Sequence, residues 1–282
     1  MLSHMAILLD GVQAQTALQA KLRARIAASL RKPHLAILQV GEREASTAYI
    51  ARKKKFAETI GVAVTHLSFP EEVAEAELLT RIAELNADDA VTGILVQLPL
   101  PEHLNPARIL STVALAKDVD GLATGSSFTP ATARGVLLLL EFYRIPIRGK
   151  KIAVLGRSAL VGTPTAEALR KAGAEVVVCH STTENTRKVT QASDIIVVAI
   201  GKPKLIGADY FRDDRTQVVV DIGINAVTEK GTELLDEEIP KKRLVGDVNF
   251  EEVKDRVAAI SPVPGGVGPM TVAALFENLV DI

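Results

Sequence analysis

Lys151-Ile152-Ala153-Val154-Leu155-Gly156-Arg157-Ser158-Ala159-Leu160-Val161-Gly162 is the stretch whose reading decides the fold. An apolar run enters a glycine turn, helix-forming residues from Thr165 to Ala172 follow, and a second apolar run spans Glu175 to Cys179. The order is strand, glycine turn, helix, strand, which is the context that gives a glycine turn meaning. There the first glycine permits a tight turn, and the helix N-terminus offers free N–H groups and a partial positive charge to a pyrophosphate. The middle glycine of the usual G-x-G-x-x-G pattern is Ser158 here. A site for NAD ordinarily carries Asp or Glu near the end of the second strand, on the ribose 2′-hydroxyl. In this chain that end reads Cys179-His180-Ser181, with no acid before Glu184. Arg157 and Ser181 suit a 2′-phosphate instead, so the expected cofactor is NADP. The competing reading is a βαβ unit that merely packs this way.

Outward from this unit the same rhythm continues. Asp194 to Ile200 and Gln217 to Ile222 are further strand-like runs, completing a Rossmann-type sheet. Upstream, Gln13 to Leu30 is helical and is stopped at Lys32-Pro33, because a residue before proline avoids the α region. Leu35 to Val40 is a continuous apolar run, the pattern of a strand covered on both faces, Val91 to Leu98 is another apolar strand halted by Pro99, and Val62 to Phe69 is strand-like between them. Helical stretches at Ser46 to Ile60 and Glu71 to Asn86 separate these strands, and Gly61 is a natural helix stop. Asp118 to Thr132 breaks the rhythm with Gly, Ser, Thr and Pro, and Ala133 to Phe142 is helical again. The last helix is expected over Thr271 to Val280, with Pro269 at its first position and Val272, Leu275, Phe276, Leu279 and Val280 on one face. The expected fold class is α/β, with two parallel-sheet domains. Residues 1–120 form a substrate and catalytic domain, residues 121–269 an NADP-binding domain, and a C-terminal helix over 270–282 returns to the first.

Composition bounds the function. A chain of 282 residues has the length of about two domains. Lys and Arg number 33 against 34 Asp and Glu, so there is no cationic excess for nucleic acid to exploit. A single cysteine, Cys179, excludes an internal disulfide and a zinc site of several thiolates, and no metal is expected. The most apolar run, Val136 to Leu140, is far short of a membrane span, and no charged-then-apolar leader opens the chain. A cytoplasmic protein without membrane partners is expected.

Candidate chemistry lies in the first half. Ser46, Tyr49 and Lys53 fall at i, i+3 and i+7, on one face of a helix. The run Arg52-Lys53-Lys54-Lys55 points all round that helix and by itself reads as a solvated basic face. Val96-Gln97-Leu98-Pro99 stands at a strand's C-terminal end, where open α/β sheets place ligands, and Lys117-Asp118-Val119-Asp120-Gly121 follows. These residues suggest a cleft without naming a substrate.

Together the segments resemble the bifunctional methylenetetrahydrofolate dehydrogenase/methenyltetrahydrofolate cyclohydrolase family. The resemblance is carried by VGEREASTAYIARKKKFAETIGV (40–62), GILVQLPLP (93–101), KDVDG (117–121), GRSALVG (156–162), CHS (179–181), DIGIN (221–225), VGDV (245–248) and SPVPGGVGPMT (261–271), in family order. It implies oxidation of 5,10-methylenetetrahydrofolate with NADP, then hydrolysis of the methenyl product to 10-formyltetrahydrofolate. It also implies that Tyr49 stacks on the folate, that Lys53 is the catalytic lysine tuned by Gln97, and that Asp120 grips the pterin edge. By the same resemblance Val96, Leu98 and the loop Pro264, Gly265, Gly266, Val267 and Gly268 would line the substrate. Gly156, Arg157, Ser158, Ser181, Ile224 and Thr271 match cofactor-contacting positions, and the family is usually a homodimer joined through the nucleotide domain. Two departures stand out: Ala131 and Ala133 replace a Cys and a Pro of the family's F-x-P-C-T-P-x-G, and the stretch between Gly121 and Phe128 is shortened. The alternatives are a cyclohydrolase with weak or lost dehydrogenase activity, another two-domain NADP oxidoreductase of the shikimate dehydrogenase kind, and a catalytically silent dinucleotide-binding regulator.

Overall fold

The computed structural model describes residues 6–228 and 242–282. In chain order its elements are β1 (Ile7–Leu8), α1 (Gly11–Ala28), β2 (His34–Val40), α2 (Glu44–Ile60), β3 (Ala63–Phe69), α3 (Glu75–Ala87) and β4 (Gly93–Val96). Then come α4 (Pro106–Thr112), α5 (Ala131–Phe142), β5 (Lys151–Leu155), α6 (Gly162–Lys171), β6 (Glu175–Cys179), α7 (Thr186–Gln191) and β7 (Ile195–Val198). The chain closes with β8 (Val218–Asp221), β9 (Asn225–Thr228), β10 (Lys242–Val245), α8 (Phe250–Val253), β11 (Ala259–Ile260) and α9 (Val267–Val280). Two compact units result: Gln15–Ala131 with Thr271–Ile282, and the segment up to Ala14 with Thr132–Met270.

The first of these units is built on a parallel sheet ordered β3-β2-β4. Strand β2 is buried from Leu35 to Val40, and its period of two divides it between two cores. Leu35 and Ile37 pack with Leu22, Ile50, Phe56 and Phe276. Ala36 and Leu38 pack on the other side with Leu78, Ile82 and Ile109. Covering both faces is what a parallel sheet requires, and it explains the predominantly apolar runs in the sequence. Phe276 of α9 is fully buried, its ring centroid 5.4 Å from that of Phe56. A Cβ on Gly93 would lie 2.5 Å from Leu279 Cδ1 and 2.7 Å from Val119 Cγ1, so glycine lets α9 sit close against β4.

The second unit holds a parallel sheet ordered β1-β11-β8-β7-β5-β6 and, apart from it, the antiparallel pair β9–β10. Here the structure departs from the expected partition. Ile7 and Leu8 pair with Ala259 and Ile260, so the start of the chain belongs to this sheet and not to the substrate unit. A strand of two residues needs only backbone pairing at a sheet edge and leaves no periodic signature. Helix α9 likewise begins earlier than expected, making Pro269 its third residue. Its missing N–H costs nothing there, because the first turn has no intrahelical acceptors for its donors.

Beyond the C-terminal ends of β7 and β8 two buried carboxylates organise the loops. Asp221 is 3% exposed and Asp247 0%. Asp221 Oδ1 accepts from the N–H groups of Gly223 (2.9 Å) and Asp247 (3.2 Å), and its Oδ2 accepts from Val248 N (2.8 Å). Burial pushes the Asp221 carboxyl up to about 7, against the pull of the Val248 and Asp247 N–H groups and with help from the Asp247 carboxylate.

Two outcomes are expected. Phe276→Ala should cost about 3–5 kcal/mol of unfolding free energy in denaturant titration, as emptied aromatic core sites do. Because Asp221 holds its proton more tightly folded than unfolded, its contribution to stability is full below about pH 4 and is lost as pH rises to about 7. Denaturant midpoints measured across that window should show this decline in the natural chain, and Asp221→Asn should flatten it.

Candidate active site

Helix α2 carries the reactive face of the substrate unit. It stops at Gly61, whose φ of 81° is the left-handed conformation that glycine tolerates. Arg52, Lys54 and Lys55 are exposed, as a solvated basic face requires, while Tyr49 and Lys53 are half-buried one turn apart. The Arg52 guanidinium lies over the Tyr49 ring, 5.5 Å from its centroid. Burial raises the Tyr49 hydroxyl pKa, with Arg52 opposing, so the phenol stays neutral.

Gln97 follows β4 and holds two positions at once. Its backbone N–H donates to Leu38 O at 2.8 Å, which extends the sheet by one residue. Its side-chain Nε2 donates to Leu98 O at 2.7 Å, and its Oε1 accepts from Lys53 Nζ at 2.9 Å. Leu98 O can only accept, so the amide orientation is fixed and the lysine meets a neutral oxygen. The Leu98–Pro99 bond beside it is cis. Burial lowers the Lys53 pKa, and the Asp120 carboxylate opposes that shift. Asp120 is raised by burial, with Lys53 pulling it down and Asp118 pushing it up. An amine drawn below the ordinary lysine range gives up a proton more readily than a solvated lysine does.

The loop bearing Asp120 is over-determined. The buried Asp118 carboxylate accepts from Ala123 N at 2.9 Å, and Asp120 O accepts from Ala131 N at 3.1 Å. Gly121 has φ +71°, and a Cβ there would stand 2.9 Å from Phe128 O and from Pro130 N. Fully buried Asn278, on α9, donates through Nδ2 to Val119 O (2.9 Å) and Thr129 O (3.1 Å). The shortened segment is therefore closed by its own backbone and by one amide from the C-terminal helix. Ala131 and Ala133 sit buried in α5. Asn278 did not stand out in the sequence; its one signal is a polar residue between the apolar positions Leu275, Phe276 and Leu279.

In the nucleotide unit β5 and β6 pair in register, with Leu155 opposite Cys179, and Gly156 N donates to Cys179 O at 2.8 Å. Gly156 has φ +118°, and a Cβ on it would lie 2.0 Å from Ala199 O. A Cβ on Gly162 would lie 2.3 Å from Gly156 O, so glycine allows the helix start to close on the turn. One expectation fails here. The N–H groups at the start of α6 are not free, because Ser158 Oγ accepts from Val161 N (3.3 Å) and Gly162 N (3.2 Å), and Ser158 O accepts from Thr163 N (3.0 Å). Serine at the middle glycine position caps the helix itself, leaving the helix dipole and the exposed residues 157–160 to meet an anion.

Arg157 and Ser181 are both exposed, each two residues past the end of one of the paired strands β5 and β6. That placement of a guanidinium and a hydroxyl, beside a cradle that any Cβ would fill, fits a dinucleotide with a 2′-phosphate. Ile224, 44% exposed, lies past β8. In the loop from Pro264 to Gly268 the Val263–Pro264 bond is cis, and Gly265 has φ +106°. Gly11 N donates to Gly265 O at 2.8 Å, and a Cβ on Gly11 would stand 1.7 Å from Gly266 O. The start of α1 therefore backs this loop, another support that the sequence did not signal. Val267, Gly268 and Thr271 lie in α9, Thr271 on the substrate unit's side of the division.

Family comparisons agree with this arrangement. Residues 9–120 match the tetrahydrofolate dehydrogenase/cyclohydrolase catalytic domain, and residues 130–282 match the NAD(P)-binding domain of the same family. The chain is 39% identical to the bifunctional protein FolD of Exiguobacterium sibiricum, over 98% of this chain and 99% of that one. The crystal structure of the Campylobacter jejuni bifunctional enzyme FolD, methylenetetrahydrofolate dehydrogenase/cyclohydrolase, superposes with a TM-score of 0.88 at 37% identity, covering 98% of each chain. The Trypanosoma brucei methylenetetrahydrofolate dehydrogenase-cyclohydrolase, solved with NADP and an inhibitor, also gives 0.88, at 33% identity over 98% of this chain and 96% of that one. With both domain models matched in order over nearly the whole chain, the chain belongs to the tetrahydrofolate dehydrogenase/cyclohydrolase family.

Proposed function

We propose that this chain oxidises 5,10-methylenetetrahydrofolate with NADP and hydrolyses the resulting 5,10-methenyltetrahydrofolate to 10-formyltetrahydrofolate. The observation that carries this reading is Lys53 Nζ held 2.9 Å from Gln97 Oε1, with burial depressing its pKa and the Asp120 carboxylate acting on it.

NADP, when bound, supplies the hydride acceptor for the one-carbon bridge. Arg157 and Ser181 hold its 2′-phosphate, the Gly156 turn and Ser158 approach its backbone, and Ile224 and Thr271 complete the contacts. On the substrate side Tyr49 stacks on the folate, Asp120 accepts from the pterin N–H edge, and Val96, Leu98 and the Pro264–Gly268 loop line the site. Hydride transfer needs orientation more than acid–base help, and a stacking ring with a gripping carboxylate provides it. In the hydrolytic step water adds to the cationic methenyl carbon, and one of its protons passes to the Lys53 amine in its deprotonated form. Lys53 keeps its donor bond to Gln97, so its lone pair is free to take that proton. The second proton ends on the ring nitrogen as the C–N bond opens, and the water oxygen becomes the formyl oxygen. A homodimer joined through the nucleotide unit and a cytoplasmic location belong to the same reading. Strand β6 is a sheet edge, and Val177 on it is 50% exposed, which suits pairing with a second copy.

Following NADPH formation from methylenetetrahydrofolate beside cofactor-free hydrolysis of methenyltetrahydrofolate tests both halves. Both activities are expected. Hydrolysis without NADPH formation would instead favour a cyclohydrolase that has lost its dehydrogenase, the alternative raised by the shortened 121–128 segment. Lys53→Met should lower hydrolysis about 100-fold or more, the scale of a lost general base, with NADP affinity unchanged. Arg157→Ala should weaken NADP about tenfold while leaving NAD nearly unaffected, as loss of a charge-assisted bond to the 2′-phosphate demands. An unchanged preference between the two cofactors would remove Arg157 from that role.

A further inference from the structure

Asp247 has no part in the chemistry above, yet it is the most fully enclosed acid beside the cofactor loops, with 0% exposure. Its Oδ2 accepts from the backbone N–H groups of Ile200 (2.6 Å) and Gly201 (2.8 Å), just past β7. Its Oδ1 accepts from Asn225 Nδ2 at 2.9 Å, one residue beyond Ile224 and past β8. One carboxylate thus ties together the loops at the C-terminal ends of two neighbouring strands. Asp221 in turn fixes Asp247 by accepting from its backbone N–H at 3.2 Å. The backbone has been cleared to admit both acids. A Cβ on Gly223 would stand 2.2 Å from Asp247 Cγ, and one on Gly246 would stand 1.9 Å from Asp221 Oδ2.

Burying carboxylates is costly, and main-chain pairing joins loops at lower expense, so a tie of this kind points beyond simple stability. Its place in the sheet says what it serves. Strand order reverses about β5, with β6 on one side and β7 and β8 on the other. A dinucleotide straddles that switch point, its 2′-substituted ribose at the second strand of the unit, here β6. The loops after β7 and β8 therefore face the nicotinamide half.

We propose that Asp247 is a positioning residue for the cofactor, setting the loops after β7 and β8 in the register that receives the nicotinamide half of NADP. This rests on the NADP reading above. Asp247→Asn keeps the shape and an acceptor for Ile200 and Gly201, but turns an amide donor toward Asn225 Nδ2. NADP affinity, measured by calorimetry on the full chain, should fall about tenfold, the scale of one lost hydrogen bond to a charged group. Cofactor-free hydrolysis of methenyltetrahydrofolate should stay within about twofold, since none of the hydrogen-bond partners of the Asp247 side chain is Lys53, Gln97 or Asp120. The double variant Asp247→Asn with Asn225→Asp restores a donor facing an acceptor and should recover most of the lost affinity. An unchanged NADP affinity in Asp247→Asn, parallel loss of hydrolysis, or no recovery in the double variant would overturn the proposal. Absence of NADP binding by the unaltered chain would overturn the cofactor reading itself, and the proposal with it.

Discussion

An amine withdrawn from water and held against one neutral oxygen sets the terms for the rest of the substrate unit. Lys53 reaches Gln97 Oε1 because α2 packs on the β2–β4 sheet at a fixed height, and because Gln97 has already spent its N–H on Leu38 O and its amide donor on Leu98 O. Burial pulls the amine toward neutrality, while the Asp120 carboxylate pulls it back toward charge. Neither effect alone gives a useful proton carrier. A fully solvated lysine stays charged, and an unpaired buried one is expensive to ionise at all. The helix, the strand end and the Asp120 loop must therefore be placed together, and the buried Asn278 amide on Val119 O and Thr129 O is part of how that placement is held.

The nucleotide unit solves a different problem, which is bringing backbone close to a ligand without side chains in the way. Gly156 and Gly162 admit the turn and the helix start to positions no Cβ would allow, while Ser158 uses its own hydroxyl to cap α6. The loops beyond β7 and β8 are fastened by carboxylates as well as by main-chain bonds such as Ile206 N to Asp247 O. Asp221, pushed up to about 7, shows how far such burial strains an acid even with three backbone donors around it.

Much of this was legible in the chain. Strands β5 and β6 have the boundaries read from Lys151–Leu155 and Glu175–Cys179, because each is a short run rich in Val, Ile or Leu bounded by turn residues. Tyr49 and Lys53 are on one half-buried face as their spacing required, and Lys53 alone of the Arg52–Lys55 run turns inward to a partner on another element. The elements that escaped are those with no local pattern. Strand β1 is two residues long and exists through its pairing with β11, some 250 positions away in the chain. The short helices α4 and α7, at seven and six residues, are too brief to show a helical period.

Periodicity, glycine placement and motif order by themselves determined the α/β class, the two parallel sheets, the dinucleotide turn and the lysine face, since each follows from forces acting over a few neighbouring residues. Tertiary structure alone decided that Asn278 holds the Asp120 loop, that Gly11 backs the Gly265–Gly266 turn, that Ser158 consumes the donors expected for a phosphate, and that Asp221 and Asp247 are buried supports. The reason is physical. An aspartate at a strand end looks the same in sequence whether solvent or three backbone amides receive it, and only the folded chain brings those amides to it.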